Sequence, residues 1–131
     1  MAKRKRGLVL IPDGYKPRKE ELWAAHAMAE FYDTCVEFLV PKNRYKEHTP
    51  DFLVNGVPHE LKTPASKSVN KIHKRIASGY KQADIIIVSM YKSKISLERM
   101  EFICRNVFQY RRQLKKIILL LSEKVVLEIK P

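Results

Sequence analysis

Asp51, Glu60 and Lys62 are the residues of this 131-residue chain whose types and spacing best suit catalysis. Asn55-Gly56 lies between them, and this dipeptide between two strand-like runs predicts a β-hairpin with a two-residue loop. In that register Asp51 lies opposite Glu60, with Cβ atoms about 4.5–5.5 Å apart, and Lys62 projects from the same face of the sheet. Two carboxylates this close repel each other, so the hairpin predicts a site that attracts positive charge.

A divalent cation, Mg²⁺ or Mn²⁺, would offset this repulsion, because hard cations prefer oxygen ligands. Held by Asp51 and Glu60, the cation would polarise a scissile phosphate and lower the pKa of a bound water. Lys62 would orient that water and stabilise the developing charge. The hairpin therefore predicts a metal-dependent nuclease. The structural alternative is a surface hairpin in which Lys62 only offsets the two acids.

The overall composition is that of a basic globular protein. The chain has 26 Lys and Arg against 14 Asp and Glu, a formal net charge of +12, which suits a polyanionic partner. Its length fits one domain over residues 1–131, with a basic, turn-rich lead-in at 1–17 and a core from about 18 to 131. No apolar run approaches a membrane-spanning length, and the two cysteines form no CxxC pair, so a reduced cytoplasmic protein without a membrane partner is expected.

The elements that would position the hairpin follow from hydrophobic periodicity and turn signals. Helices are predicted before the hairpin, directly after it and near the carboxyl end, and apolar runs between them predict strands. We expect a mixed central sheet with helices on both faces and the order α-β-β-β-α-β-α-β-β. The predicted elements are helices at 18–34, 67–82 and 96–113 and strands at 36–40, 51–54, 57–62, 84–90, 117–121 and 125–129.

Pro50-Asp51 followed by Glu60-Leu61-Lys62 resembles the PD-(D/E)XK nuclease superfamily, whose restriction-endonuclease-like fold has an αβββαβ core. The resemblance is greatest to the C-terminal tRNA nuclease toxin domains of CdiA-type contact-dependent growth inhibition proteins. It spans about residues 19–130 and implies the αβββαβ core with a further helix and a C-terminal strand hairpin. It also implies tRNA cleavage in the cytoplasm of a target bacterial cell. The residues that carry it are Glu21, Pro50-Asp51-Phe52, Glu60, Pro64, Ile72, Ile76 and Gln82-Ala83-Asp84.

Further residues could assist the hairpin. The resemblance implies that Glu21 is an additional catalytic carboxylate, with Glu30 as the alternate; otherwise Glu21 only serves the helix dipole. A stripe of basic residues on the second helix could track a phosphate backbone, although a solvated face is the ordinary reading. The resemblance places Gln82 near the site, where it could hold a water or a phosphate oxygen. The predicted nucleic-acid-binding residues are Lys67, Lys71, Lys74, Arg75, Lys81 and Gln82.

Two other functions remain open from the sequence. A DNA endonuclease of the restriction or junction-resolving kind would share the hairpin and differ in its binding groove. A basic nucleic-acid-binding module would use the charge without catalysis. If the chain is a toxin, an acidic immunity protein is its expected partner, because such a surface is complementary to a basic one.

Overall fold

The computed structural model describes residues 7–40, 49–122 and 125–131, and within them one sheet is flanked by three α-helices. No helix in these three ranges is long and apolar enough to cross a membrane. In chain order the elements are β1 (Leu8–Leu10), α1 (Lys19–Phe31), β2 (Cys35–Phe38), β3 (Phe52–Val54), β4 (Val57–Lys62), α2 (Val69–Ala77), the 3₁₀ helix η1 (Ser78–Lys81), β5 (Ile85–Ser89), α3 (Leu97–Tyr110), β6 (Lys116–Leu120) and β7 (Val126–Ile129).

The seven strands form one sheet in the order β1-β2-β3-β4-β5-β6-β7. The pairs β1–β2, β4–β5 and β5–β6 are parallel, and the others are antiparallel. The predicted α/β class, the mixed sheet and the closing hairpin are confirmed. The prediction that residues 1–17 are only a lead-in was wrong for Leu8–Leu10, which pair with β2. Three apolar residues carry too little periodicity to reveal a strand.

Two hydrophobic clusters lie on opposite faces of the sheet, one under α1 and one under α2 and α3. Strand β5 contributes to both, because successive side chains of a strand point to opposite faces. Ile87 joins the α1 cluster, whereas Ile86 and Val88 join the other cluster, which confirms the prediction of a strand covered on both faces.

The two helices on the second face begin at serine caps. The Ser68 hydroxyl accepts a hydrogen bond from the Lys71 N–H at the start of α2, and the Ser96 hydroxyl accepts one from the Arg99 N–H at the start of α3. The second helix is shorter than predicted, because its last turn tightens into η1. Residues 1–6 of the predicted lead-in, residues 41–48 and residues 123–124 lie outside the described residues.

Candidate active site

The β3–β4 hairpin has the predicted register over three residue pairs, but the ladder ends there and the predicted Asp51–Glu60 pair is not part of it. Val54 pairs with Val57, Leu53 with Pro58 and Phe52 with His59. Asn55 and Gly56 have φ angles of 50° and 79°, as a type I′ turn requires at both central positions. The hairpin therefore presents Glu60 and Lys62 on one face and His59 on the other, where His59 is buried against the α1 side.

Asp51 lies just before β3, where the regular β3–β4 ladder ends, and it bonds to β4 through both its main chain and its side chain. Its main-chain N–H donates to the His59 carbonyl at 3.1 Å, and its carbonyl accepts from the Leu39 N–H at 3.0 Å. Its carboxylate Oδ2 accepts a hydrogen bond from the Leu61 N–H of β4 at 2.8 Å. A side-chain oxygen thus replaces the main-chain carbonyl that a neighbouring strand would offer to β4. Asp51 is therefore fixed beside Glu60 by contacts at three atoms.

Glu60 is a buried acid with an unsatisfied oxygen. The residue is 7% exposed, and its Oε2 lies 3.5 Å from the Lys62 Nζ. Its Oε1 is buried and receives no hydrogen bond from any residue in the described ranges. Burial raises the pKa of the Glu60 carboxyl to about 8; the negative charge of Asp51 adds to the rise and the Lys62 ammonium opposes it. Such an oxygen needs a proton or a cation.

Burial also raises the pKa of the Asp51 carboxyl, although the Leu61 N–H opposes the rise. Glu21 contributes to it through its negative charge, which puts the start of α1 close enough to act on the same site. The two neighbouring carboxyl groups and the third negative charge would stabilise a cation bound here.

Glu21 lies in the first turn of α1 and is 5% exposed. Its Oε1 accepts a 2.8 Å hydrogen bond from the Arg18 N–H, and the Tyr15 hydroxyl lies 3.3 and 3.4 Å from its two oxygens. The Arg18 guanidinium adds an ion pair at 3.6 Å. Glu21 is thus a buried acid with several hydrogen-bond partners, and not an exposed residue that only interacts with the helix dipole. The alternate, Glu30, is exposed at the other end of the helix.

The donors present fit a hard divalent cation. The Asp51–Glu60 pair offers only oxygen atoms, and one of them is buried without a hydrogen-bond donor. In the described ranges, no group of three or more His, Cys, Asp or Glu side chains is arranged to hold a metal ion. Glu21 therefore does not complete a three-carboxylate cage, and a cation here would take its other ligands from water and phosphate, as Mg²⁺ commonly does.

The side chain of Lys62 packs against a glycine that was not predicted from the sequence to belong to the site. Gly79, in η1, lies so close to β4 and β5 that a Cβ there would be 2.8 Å from Ile86 Cδ1 and 3.3 Å from Lys62 Cε. The absence of a side chain lets η1 pack directly on the stem of Lys62. The sequence feature that could have indicated this close contact is a glycine inside an otherwise helical pattern.

The five basic residues of the predicted stripe are all exposed, and no acidic side chain of the described ranges lies within ion-pair distance of them. Gln82 is half-buried, and with its amide nitrogen turned toward η1 it donates to the carbonyls of Gly79 and Ser78 at 3.2 and 3.3 Å. The structure thus gives that nitrogen a partner in η1. The exposed residues are Lys67, Lys71, Lys74, Arg75 and Lys81.

Two comparisons with known proteins relate this chain to contact-dependent growth inhibition toxins. The family model of the contact-dependent growth inhibition CdiA C-terminal domain matches residues 47–125, more than half of the chain. A solved CdiA-CT/CdiI toxin and immunity complex from Burkholderia pseudomallei contains a chain of similar fold. The match covers 94% of this chain and 98% of that chain, with a TM-score of 0.63 and 20% sequence identity. No curated protein matches.

Proposed function

Because this chain belongs to the family of contact-dependent growth inhibition CdiA C-terminal domains, which are toxin domains, we propose that it is a metal-dependent endonuclease that cleaves RNA. The single observation that supports this most is the buried Asp51–Glu60 pair with its unsatisfied Oε1 and with Lys62 at 3.5 Å. We propose tRNA as the favoured substrate, from the resemblance of the motif order. Membership of the PD-(D/E)XK superfamily is part of the same proposal.

Asp51 and Glu60 would hold Mg²⁺ or Mn²⁺, which polarises the phosphate and makes a bound water more acidic. The chain's own residues do the positioning. The Leu61 N–H fixes the Asp51 carboxylate, and burial leaves the Glu60 carboxylate dependent on a bound cation for its negative charge at neutral pH. The Lys62 ammonium, beside Glu60, donates to the attacking water or to the phosphate oxygen as negative charge develops there.

Cleavage of purified tRNA with Mg²⁺ or Mn²⁺, and its loss in EDTA, tests the proposal. Glu60→Gln keeps the size of the side chain and removes its charge, and it should lower the cleavage rate at least a hundredfold, as should Lys62→Ala. Lys19→Ala, at the exposed start of α1, is the matched control and should cleave normally. If Glu60→Gln cleaved as fast as wild type, the site would be wrongly assigned.

Parallel digestion of tRNA, duplex DNA and branched DNA separates the RNA nuclease from a DNA endonuclease that uses the same hairpin. A chain that binds RNA in a salt-sensitive manner but cleaves none of the three, with or without metal, would instead be a binding module.

We also propose an acidic immunity protein as partner. The similar fold occurs in a toxin and immunity complex, and this chain carries a net charge of +12, with five exposed cations between residues 67 and 81. Co-purification with the product of a neighbouring gene tests this, and a complex that survives high salt but lacks acidic character would contradict the electrostatic part. The toxin would act in the cytoplasm of the cell it enters.

A further inference from the structure

We propose that the substrate RNA is also bound on α3, by an unpaired base stacked on Tyr110 and by phosphates in a groove between α3 and β7. This inference rests on the proposed function and extends it from the hairpin to a second contact region. It commits to RNA with unpaired nucleotides, because a base inside a duplex has no free face to stack.

Tyr110 is the first element of this region. Its side chain is 68% exposed at the last turn of α3, although an aromatic ring of this size gains stability by burial. The ring meets His73 of α2 edge-on, with centroids 5.1 Å apart. Tyr110 therefore lies on the side of α3 that faces the basic helix, and the His73 contact limits its orientation while leaving most of the ring open.

The α3–β7 groove is the second element, and it lies on the other side of α3. It has a volume of about 800 Å³ and lies between α3 and the residues that follow β7; its lining is Arg105, Phe108, Gln109, Arg112, Leu114, Lys130 and Pro131. Arg105 is paired with Glu101 at 2.7 Å. Arg112 and Lys130 are exposed, and no acidic side chain of the described ranges lies within ion-pair distance of either. Unpaired cations in a concave surface are suited to phosphate oxygens.

The exposed aromatic residues thus stand between two basic surfaces. On one side are the unpaired cations of α2, beside the active site; on the other is the α3–β7 groove. Phe102, 63% exposed on α3, adds a second open ring. Alternation of cations with open aromatic rings is the arrangement by which proteins bind unpaired nucleic acid, since every base has a face that can stack.

The geometry also sets a length requirement. Packed helices lie about 8–10 Å apart, so an RNA that reaches from the hairpin across α2 to Tyr110 must be longer than a dinucleotide. A substrate too short to span α2 would be cleaved without using this region. The α3 contacts are therefore expected to affect KM for long substrates and to leave kcat unchanged.

Binding is best measured with the Glu60→Gln chain, so that cleavage does not interfere. The probes are a fluorescent RNA hairpin with a single-stranded 3′ extension and the same hairpin with a blunt end, both closed by a non-nucleotide linker so that neither has an unpaired loop. Tyr110→Ala should weaken binding of the extended hairpin about tenfold, and of the blunt hairpin by less than twofold. Tyr110→Phe should retain wild-type affinity, because stacking does not need the hydroxyl. Tyr91→Ala, which removes a 45% exposed ring packed on Trp23, is the matched control and should bind normally.

Arg112→Ala should weaken binding of both probes and reduce the slope of log affinity against log salt by about 0.7–0.9. Equal affinity of Tyr110→Ala and its parent for the extended hairpin would overturn the proposal. An equal loss of affinity for both hairpins would also overturn it. So would a Tyr110→Ala chain that binds RNA normally and loses only its binding of polyglutamate, which would indicate a protein partner. If the wild-type chain cleaved no RNA while Tyr110→Ala still lost binding, the nuclease function would fail and the α3 contact would stand.

Discussion

The two sides of the candidate site carry opposite charge in opposite surroundings. On one side are the acids of β3, β4 and the first turn of α1: Asp51, Glu60 and Glu21, which are buried or half-buried and individually held. On the other side is α2 with η1, where residues 67–82 contain five basic and no acidic residues, all five exposed. Under the proposed function, the acidic side would supply fixed geometry for the reaction and the basic side solvated charge for substrate affinity.

This difference predicts that substitutions on the two sides change different kinetic constants. The largest effect among the supporting residues is expected from Glu21→Gln. It preserves the hydrogen bond from the Arg18 N–H but removes a charge near Asp51. We expect kcat to fall about 10–100-fold, the range for residues that support metal ligands, while the salt dependence of KM stays unchanged. Glu30→Gln, on the exposed end of the same helix, is the control. A Glu21→Gln enzyme with normal kcat and raised KM would break the comparison.

Gly79→Ala should have the next largest effect, because Gly79 connects the two sides. The added Cβ would meet Ile86 Cδ1 at 2.8 Å and Lys62 Cε at 3.3 Å, so η1 or Lys62 must shift. We expect kcat to fall about tenfold, in keeping with the sensitivity of catalysis to small displacements.

Ile86→Val can be added to remove the Cδ1 contact, which is the shortest of the three at 2.8 Å, and Ile86→Val alone is its control. If the double variant Gly79→Ala/Ile86→Val recovered stability but not kcat, the Lys62 contact would be the one that matters. Full recovery of kcat would instead assign the defect to core packing. Thermal unfolding and steady-state kinetics of the three variants distinguish these outcomes.

Single alanine substitutions on α2 should have smaller effects. Lys71→Ala and Arg75→Ala each remove one exposed charge from the side that carries no acid. We expect KM to rise a few-fold, kcat to stay within twofold, and the slope of log affinity against log salt to fall by about 0.7–0.9 per residue. Cleavage rates over a series of salt concentrations measure this. A large loss of kcat in either variant would mean that α2 takes part in the chemistry itself.

The smallest expected effect is on stability. The Glu60 carboxyl has a folded pKa of about 8 against an ordinary value of 4.5, so between these values the folded chain holds a proton that the unfolded chain has released. Stability therefore falls as pH rises from about 5 to about 8. In EDTA, the Tm of the wild-type chain should drop by several degrees over this range.

Glu60→Gln should remove most of this dependence, and Mg²⁺ should reduce it in the wild-type chain, because a cation bound to the folded state stabilises it. Lys71→Ala, on the basic side, should keep the wild-type dependence. Identical Tm profiles for wild type and Glu60→Gln would show that the Glu60 carboxyl is not the group responsible.

The hairpin could be predicted from the sequence because its determinants are local. Asn55-Gly56 specifies the turn, and the turn specifies which residues share a face with Glu60. The helices were also predictable from their hydrophobic period, and the buried strands from continuous apolar runs such as that of β5. The site residues that were named from the motif lie together on the hairpin, and Glu21 lies near enough to act on Asp51 through its charge.

The remaining features depend on contacts between distant segments. The Asp51 carboxylate bonds the Leu61 N–H only because the β3–β4 ladder ends at Phe52. Gly79 reaches Lys62 only because α2 tightens into η1 above the parallel β4–β5 pair. Strand β1 forms only because the edge of β2 is available to it. No residue pattern within these segments indicates which partner each will meet.

The charge of α1 has a consequence for how the molecule meets its target. Residues 19–33 contain four acids and one lysine, whereas residues 67–82 carry five cations, and the two helices lie on opposite faces of the sheet. These two helices therefore place opposite net charge on the two faces of the sheet. In the field of a polyanion, this charge difference would turn α2 toward the polyanion and α1 away from it before any contact forms. Such pre-orientation raises the fraction of productive encounters and speeds association at low ionic strength.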